Sequence, residues 1–112
     1  MQVVESADEY RGAVEKEDET VVSYITASWC GPCKMIAPVY EALSETHDDM
    51  TFLKVDVDEL PEVAGSEGVE AVPTFVFYKH GMRLGQMSGA DKDAITSAVD
   101  KLKNFDTSQV EE

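Results

Sequence analysis

The sequence predicts an α/β fold in which a mixed sheet carries helices on both faces. Residues 20–28 form an uncharged run rich in β-branched and aromatic residues, which is typical of a central strand buried on both faces. Segments with strand-like and helical apolar periods alternate in the order βαβαβα followed by ββα. Crossover helices imply parallel strand pairs with right-handed connections, and the last two strands add an antiparallel edge. The 112 residues are expected to form a single domain, 1–112.

Two helices are predicted in the first half of the chain. A capping box at 6–9 (Ser-Ala-Asp-Glu) starts the first helix directly after a short strand at 3–4. This helix is expected to run for about ten residues and to bury Tyr10, Ala13 and Val14. The second helix begins at Cys33, from which apolar residues recur at helical spacing, namely Ile36, Val39, Tyr40 and Leu43. Pro38 lies inside this helix and is expected to kink it.

Three further strands and two helices are predicted in the second half. The strands span 51–56, 74–78 and 82–88. A short helix at 60–66 follows the first of them, and His80 and Gly81 form a tight hairpin turn between the other two. Asp91 is the predicted N-cap of a last helix, whose apolar face comprises Ala94, Ile95, Ala98, Val99 and Leu102. Residues 107–112 are expected to be a frayed acidic tail.

The charge of the chain limits its expected partners. Nine Lys and Arg against 23 Asp and Glu give a net charge of -14. Such a field repels phosphates, so neither nucleic acid nor an anionic membrane is an expected partner. A solvated acidic surface that keeps the protein soluble and monomeric is the simplest interpretation, with docking to basic partners and adaptation to high salt as alternatives. Because the N-terminus lacks a basic stretch followed by an apolar run, we expect a soluble cytoplasmic protein.

The two cysteines of the chain lie in the run Trp29-Cys30-Gly31-Pro32-Cys33-Lys34. They stand where the buried strand ends and a helix begins, and thiols at that spacing can close and reopen a small disulfide in a reaction cycle. A disulfide around two residues constrains little chain entropy, so redox chemistry is favoured over a structural role. Half of a zinc site completed by His47 and His80 is the weaker alternative, because both histidines are isolated in the sequence. We expect both to lie at the surface and no metal to be bound.

The setting of the motif predicts different roles for the two thiols. Free N–H groups and the positive end of the helix dipole favour an anion at Cys30, and Lys34 adds a positive charge. Cys33, one turn inside the helix, is expected to be more shielded and less acidic. We therefore predict that Cys30 attacks a substrate disulfide and that Cys33 resolves the mixed disulfide. Pro32 in the first turn costs no hydrogen bond and stiffens the loop.

These motifs resemble the thioredoxin family along almost the whole chain, from the first strand to about Phe105. The matching features are the run 29–34, Pro38, the strand end 54–58 (Lys-Val-Asp-Val-Asp), the segment 72–75 (Val-Pro-Thr-Phe), Gly81 and Gly89. The resemblance implies a five-stranded mixed central sheet flanked by four helices. It also implies a general disulfide reductase with no bound cofactor. Its redox-active disulfide would act on disulfide-containing proteins and be recharged by a thioredoxin reductase that uses NADPH.

The resemblance also implies a substrate groove. Pro73 corresponds to the cis-proline of the family and would face the cysteine pair, excluding metals from it; a strand-initiating proline is the alternative. The backbone of Val72 would pair with an extended substrate peptide. The apolar groove around Cys30 would be formed by Trp29, Val72, Pro73, Gly89 and Ala90.

One position departs from the family pattern. Most thioredoxins carry a buried Asp six residues before the first active-site cysteine, as the base that assists the second cysteine, and here that position is Tyr24. A phenol supplies no anionic base at pH 7, although it can form hydrogen bonds. Lys54, which would pair with that Asp, is expected to lack its partner. Either deprotonation of Cys33 passes to water or Lys54 and the release step slows, or Tyr24 only packs in the core.

Two alternative functions follow from the same residues. An isomerase or oxidase would use the same cysteines, but Gly31 and Pro32 argue against it, since a His between the cysteines is the isomerase-type pattern. The other alternative is a binding or regulatory module that uses the apolar rim around Trp29 and needs no thiol.

Overall fold

The computed structural model describes residues 1–106, and the predicted acidic tail at 107–112 lies outside the described residues. Within them, the elements follow the predicted order. They are β1 (Gln2–Val3), α1 (Ala7–Val14), β2 (Thr20–Thr26), α2 (Gly31–Thr46), β3 (Thr51–Asp56), α3 (Pro61–Ser66), β4 (Thr74–Lys79), β5 (Met82–Ser88) and α4 (Lys92–Lys103). The helix predicted from Cys33 starts two residues earlier, at Gly31. Pro38 lies inside α2, and the kink stays a prediction.

The strands form one sheet in the order β1-β3-β2-β4-β5. β1 and β2 both run parallel to β3, whereas β4 is antiparallel to β2 and β5. The predicted mixed sheet of five strands with four helices is therefore confirmed. β2 is central and positions 21–26 are all buried, as its uncharged composition predicted. The chain leaves the carboxyl end of β2 at the middle of the sheet, which is where α/β folds form their sites.

Each face of the sheet has its own apolar core, because successive strand residues point to opposite faces. On the face covered by α2 and α4, Tyr24 stacks on Phe75 with ring centroids 5.2 Å apart and lies 4.9 Å from the ring of Tyr40. The Tyr40 hydroxyl is 2.7 Å from the carbonyl oxygen of Leu53, so this buried polar group has a partner. The opposite face packs against α1 and α3 through another cluster, which contains Val21, Ile25, Leu53, Val55 and Val76.

Local signals set the ends of several elements. Ser6 caps α1 and Asp91 caps α4, each accepting a backbone N–H three residues later. His80 and Gly81 both have positive φ, 55° and 79°, as a two-residue hairpin turn between β4 and β5 requires. A side chain at Gly81 would also stand 3.1 Å from the carbonyl oxygen of Glu15. The predicted caps and the predicted hairpin are confirmed.

The surface position predicted for His47 is wrong. His47 follows the last residue of α2 and is only 7% exposed, and its Nε2 lies 3.6 Å from a carboxylate oxygen of Asp100 on α4. The end of α2 packs against α4, so the residue that follows the helix is covered by a neighbour distant in sequence. His80, in the hairpin turn, is exposed as predicted.

Candidate active site

The cysteine pair lies at the junction of the central strand and α2. After β2, the Cys30 N–H donates to the carbonyl oxygen of Ala27 (3.2 Å), and Cys30 then becomes the N-cap of α2. Its Sγ accepts the N–H of Cys33 at 3.1 Å. The two residues form a disulfide with Cα atoms 5.3 Å apart. A thiolate at Cys30 would therefore meet the N–H groups and the positive end of the helix dipole.

The residues around the pair differ in exposure. Cys30 and Cys33 are 4% and 2% exposed, whereas Trp29 is 67% exposed. Gly31, Pro32 and Lys34 are exposed as well. The disulfide is thus buried, whereas the large apolar side chain that precedes it in the sequence lies on the surface.

The loop before β4 lies against Cys30. The peptide bond between Val72 and Pro73 is cis, and the Val72 carbonyl oxygen is 3.7 Å from Cys30 Sγ. Gly89 donates its N–H to the carbonyl oxygen of Pro73 at 3.0 Å and has a φ of 106°, which favours glycine. Val72 and Ala90, both partly buried, pack against the core that contains the two cysteines. The structure thus brings these four predicted groove residues together beside the disulfide.

Trp29 has a partner that the sequence analysis did not single out. Its indole N–H donates to Oδ2 of Asp58 at 2.9 Å. Asp58 follows the end of β3, and its own N–H donates to Oδ1 of Asp56 at 2.8 Å. Asp58 belongs to the motif at 54–58, but nothing in the sequence pattern indicates that it pairs with a residue 29 positions away.

The apolar surface extends from Trp29 toward α3, beyond the predicted groove. A shallow pocket of about 210 Å³ is lined by Trp29 and Val72. Its other lining residues are Val57, Ala64, Val69, Glu70 and Ala71. These residues continue the surface formed by Trp29 and Val72 as far as α3.

Tyr24 contacts the second cysteine, Cys33, through its hydroxyl group. The phenol is 2% exposed, and its hydroxyl donates to the Cys33 carbonyl oxygen at 3.0 Å. Burial raises the pKa of Tyr24 above its ordinary value of 10.0, and the Thr26 hydroxyl offsets only part of that rise. Tyr24 is therefore an uncharged hydrogen-bond donor at neutral pH.

A cavity of about 190 Å³ lies beside Cys33, and we call it the Cys33 cavity. Its ionisable lining residues are Tyr24, Cys33, Lys34, Lys54 and Asp56. Lys54 is the register partner of Tyr24 between β2 and β3 and forms no ion pair within the described residues. Cys33 thus shares this cavity with two cations, a phenol and one carboxylate.

Residues 1–106 contain no group of three or more His, Cys, Asp or Glu side chains able to hold a metal ion. None of the helices in that range has the length and apolar character needed to cross a membrane.

A Cys-x-x-Cys disulfide at the start of a helix, beside an exposed apolar surface, defines a thiol-disulfide oxidoreductase. The sequence model of the Thioredoxin family matches residues 1–101. The chain belongs to the thioredoxin family, and its activity is the reduction of protein disulfides.

Individual relatives agree over most of the chain. It is 45% identical to thioredoxin H2-1 of Oryza sativa subsp. japonica over 101 residues, covering 90% of this chain and 73% of the relative. It is 40% identical to thioredoxin of Homo sapiens over 100 residues, covering 88% and 95%. The crystal structure of Malassezia sympodialis thioredoxin superposes with a TM-score of 0.84 at 43% identity, covering 90% and 89% of the two chains. The predicted family and fold are confirmed.

Proposed function

We propose that Cys30 is the attacking thiol and Cys33 the resolving thiol of this reductase. The observation that carries this assignment is the position of Cys30 at the N-cap of α2, where its Sγ already accepts the N–H of Cys33 at 3.1 Å. This hydrogen bond and the helix dipole stabilise a thiolate at Cys30. Exposed Lys34 adds a positive charge near the same turn.

The reaction then has two exchange steps. The Cys30 thiolate attacks one sulfur of the substrate disulfide; a Cys30–substrate bond forms, the substrate disulfide breaks and its other sulfur leaves as a thiolate. Cys33 loses its proton and attacks Cys30 Sγ, which forms the Cys30–Cys33 disulfide and releases the second substrate thiolate. Two electrons pass from the protein to the substrate, and both leaving thiolates take protons from solvent.

The groove binds the substrate mainly through its backbone. The Val72 carbonyl oxygen stands 3.7 Å from Cys30 Sγ, so an extended peptide paired with Val72 brings its own cysteine to the attacking sulfur. Trp29, Pro73, Gly89 and Ala90 complete the apolar contact surface around it. Backbone pairing makes the reductase general rather than selective for one sequence.

Recycling requires an external electron donor. The chain holds only two cysteines, so after one turnover both are in the disulfide and no further thiol remains to reduce it. A thioredoxin reductase that uses NADPH is the proposed donor. In this role the protein is a single-domain, monomeric electron carrier that serves redox homeostasis in the cytoplasm.

Insulin-disulfide reduction tests the function. The protein alone should give at most one turnover, whereas the protein with dithiothreitol, or with thioredoxin reductase and NADPH, should precipitate insulin continuously. A Cys33→Ser variant should accumulate mixed disulfides through Cys30, and a Cys30→Ser control should not. Absence of trapped species would favour a thiol-independent binding module.

The reduction potential separates the reductase from an isomerase or oxidase. We expect a reduction potential of about -270 mV, as for thioredoxin, whereas protein disulfide isomerase has a potential of about -180 mV. Equilibration with glutathione buffers of known ratio measures it, and a value near the higher figure would overturn the assignment.

A further inference from the structure

We infer that Asp56 accepts the proton of Cys33, through solvent in the Cys33 cavity, when Cys33 resolves the mixed disulfide. The inference rests on the proposed roles of the two cysteines. Tyr24 occupies the position at which the family resemblance implies a buried acid, so another group must accept the Cys33 proton.

The sheet places Asp56 on the same side as Cys33. Side chains two residues apart on a strand share a face, so Lys54 and Asp56 point together from β3. Their register partners on β2 are Tyr24 and Thr26. Tyr24 belongs to the core on the α2 face and donates to the Cys33 carbonyl oxygen. Asp56 and Cys33 accordingly line one cavity.

The cavity has room for a proton relay. Its volume of about 190 Å³ compares with about 30 Å³ per water molecule in the liquid. Its walls supply the polar partners that such water needs, with the hydroxyls of Thr26 and Ser28 in addition to the ionisable groups. Asp56 is partly buried, so its carboxylate reaches both the cavity and solvent.

Asp56 is the one carboxylate among the lining residues, and the other groups are poor proton acceptors. Lys34 and Lys54 are ammonium groups, which donate hydrogen bonds and accept none. Tyr24 is a neutral phenol whose hydroxyl already donates its proton in a hydrogen bond to the Cys33 carbonyl oxygen. A carboxylate accepts a proton far more readily than a neutral phenol or water does.

The carboxylate of Asp56 is held in position by the loop that follows β3. Its Oδ1 accepts the N–H of Asp58 at 2.8 Å. This bond uses one of several lone pairs on the group and leaves the rest for water. The two lysines line the same cavity, where their positive charges favour the Cys33 thiolate as it forms.

The proposed step balances. The proton on Cys33 Sγ passes through water to an Asp56 oxygen, and the sulfur becomes a thiolate. That thiolate forms the bond to Cys30 Sγ as the Cys30–substrate bond breaks and the substrate thiolate leaves. Asp56 then returns the proton to the solvent or to the released thiolate, so it is unchanged after each turnover.

Asp56→Asn tests the inference, because an Asn oxygen can still accept the Asp58 N–H while the proton acceptor is lost. Stopped-flow reaction with 5,5′-dithiobis(2-nitrobenzoate) reports one coloured thiolate for attack and a second for resolution. Since that product leaves as an anion, the second release follows deprotonation of Cys33. At pH 7 we expect resolution to slow at least about tenfold and attack to stay unchanged. The rate should recover at higher pH, where hydroxide replaces the carboxylate.

The direction of the change in the resolution rate distinguishes a proton acceptor from a group that acts only through its negative charge. If Asp56 acted only through its negative charge, its removal would favour the Cys33 thiolate and make resolution faster. An unchanged or faster second release in Asp56→Asn would overturn the inference. The same slowing in Asp56→Glu, which keeps a carboxylate, would overturn it too.

Two controls complete the design. Asp49→Asn removes an exposed carboxylate outside the cavity and should leave both releases unchanged. Circular dichroism verifies folding of each variant. A wild-type protein that released no first thiolate would refute the proposed attack by Cys30, whereas failure of the Asp56 inference alone leaves the first release intact.

Discussion

The hydroxyl of Tyr24 donates a hydrogen bond to the carbonyl oxygen of Cys33 across 3.0 Å. This bond ties the central strand to the first turn of α2 at Cys33 itself. The same ring packs against Tyr40 and Phe75, so Tyr24 belongs to the core as well. Tyr24 therefore anchors the motif, and it supplies a hydrogen-bond donor at the position where the family resemblance implies a base.

Replacing Tyr24 by Phe should remove the anchor and keep the packing. We expect a loss of about 1 kcal/mol in the free energy of unfolding, the usual contribution of one neutral hydrogen bond. Because the phenol takes no proton from Cys33, the resolution rate at pH 7 should change little. Urea unfolding and the stopped-flow assay measure the two quantities. A collapse of the resolution rate with the fold intact would show that Tyr24 takes part in the proton transfer.

The Trp29–Asp58 contact is expected to orient the substrate surface more than to stabilise the fold. Trp29 is 67% exposed and its indole bond to Asp58 is at the surface, so Asp58→Ala should cost under about 1 kcal/mol of stability. Freed of that bond, the ring should contact protein substrates less well. The rate of insulin reduction should fall, whereas the rate of reaction with 5,5′-dithiobis(2-nitrobenzoate) should stay constant. Equal slowing of both reactions would contradict a role confined to substrate docking. Asp49→Ala is the matched control.

Local pattern explains why so much of the fold could be predicted. The uncharged run of β2, the helical period from Ile36 to Leu43, and the caps Ser6 and Asp91 each act within a few residues, and each is found in the structure. The Cys-x-x-Cys spacing likewise needs only a strand before it and a helix after it.

The features that could not be predicted depend on contacts between distant segments. His47 is buried because α4 covers the end of α2, and Trp29 meets Asp58 because the loops after β2 and β3 lie side by side. Glu67 follows α3 and resembles a surface acid in the sequence. It is only 8% exposed, since α1 and the β4–β5 hairpin converge on it. The periodicity of the sequence does not indicate contacts between such distant segments.

Glu67 should contribute strongly to stability. Its carboxylate accepts the hydroxyls of Tyr10 (2.5 Å) and Tyr78 (2.7 Å) and pairs with Nε of Arg83 at 3.1 Å. Glu67→Gln replaces one acceptor oxygen by a donor and leaves Arg83 without its anion. We expect a loss of about 2 kcal/mol, because the buried carboxylate loses charge-assisted hydrogen bonds whereas solvent screens the 36% exposed Arg83.

Chemical denaturation measures the loss, with Glu62→Gln on the exposed side of α3 as the control. A cost for Glu67→Gln no larger than that of the control would show that the cluster is not stabilising.

The four tyrosines should make the fold sensitive to alkali. Burial raises the pKa of each phenol above 10.0, and at Tyr10 and Tyr78 the Glu67 carboxylate raises the pKa further. Below about pH 10 the phenols are protonated in both states and stability does not depend on them. Above it, the unfolded chain releases protons that the folded chain keeps, so unfolding becomes more favourable as pH rises.

Tyrosinate absorbance and circular dichroism should therefore change together in an alkaline titration, with no separate ionisation near pH 10. Tyr10→Phe removes one of the raised groups, so the free energy of unfolding should fall less steeply above about pH 10. Ionisation of several tyrosines near pH 10 with the circular dichroism unchanged would refute the buried, hydrogen-bonded state of these side chains. Salt added at constant pH provides the control. Salt screens the general repulsion within a chain of net charge -14, but it does not remove the destabilisation caused by ionisation of the buried phenols.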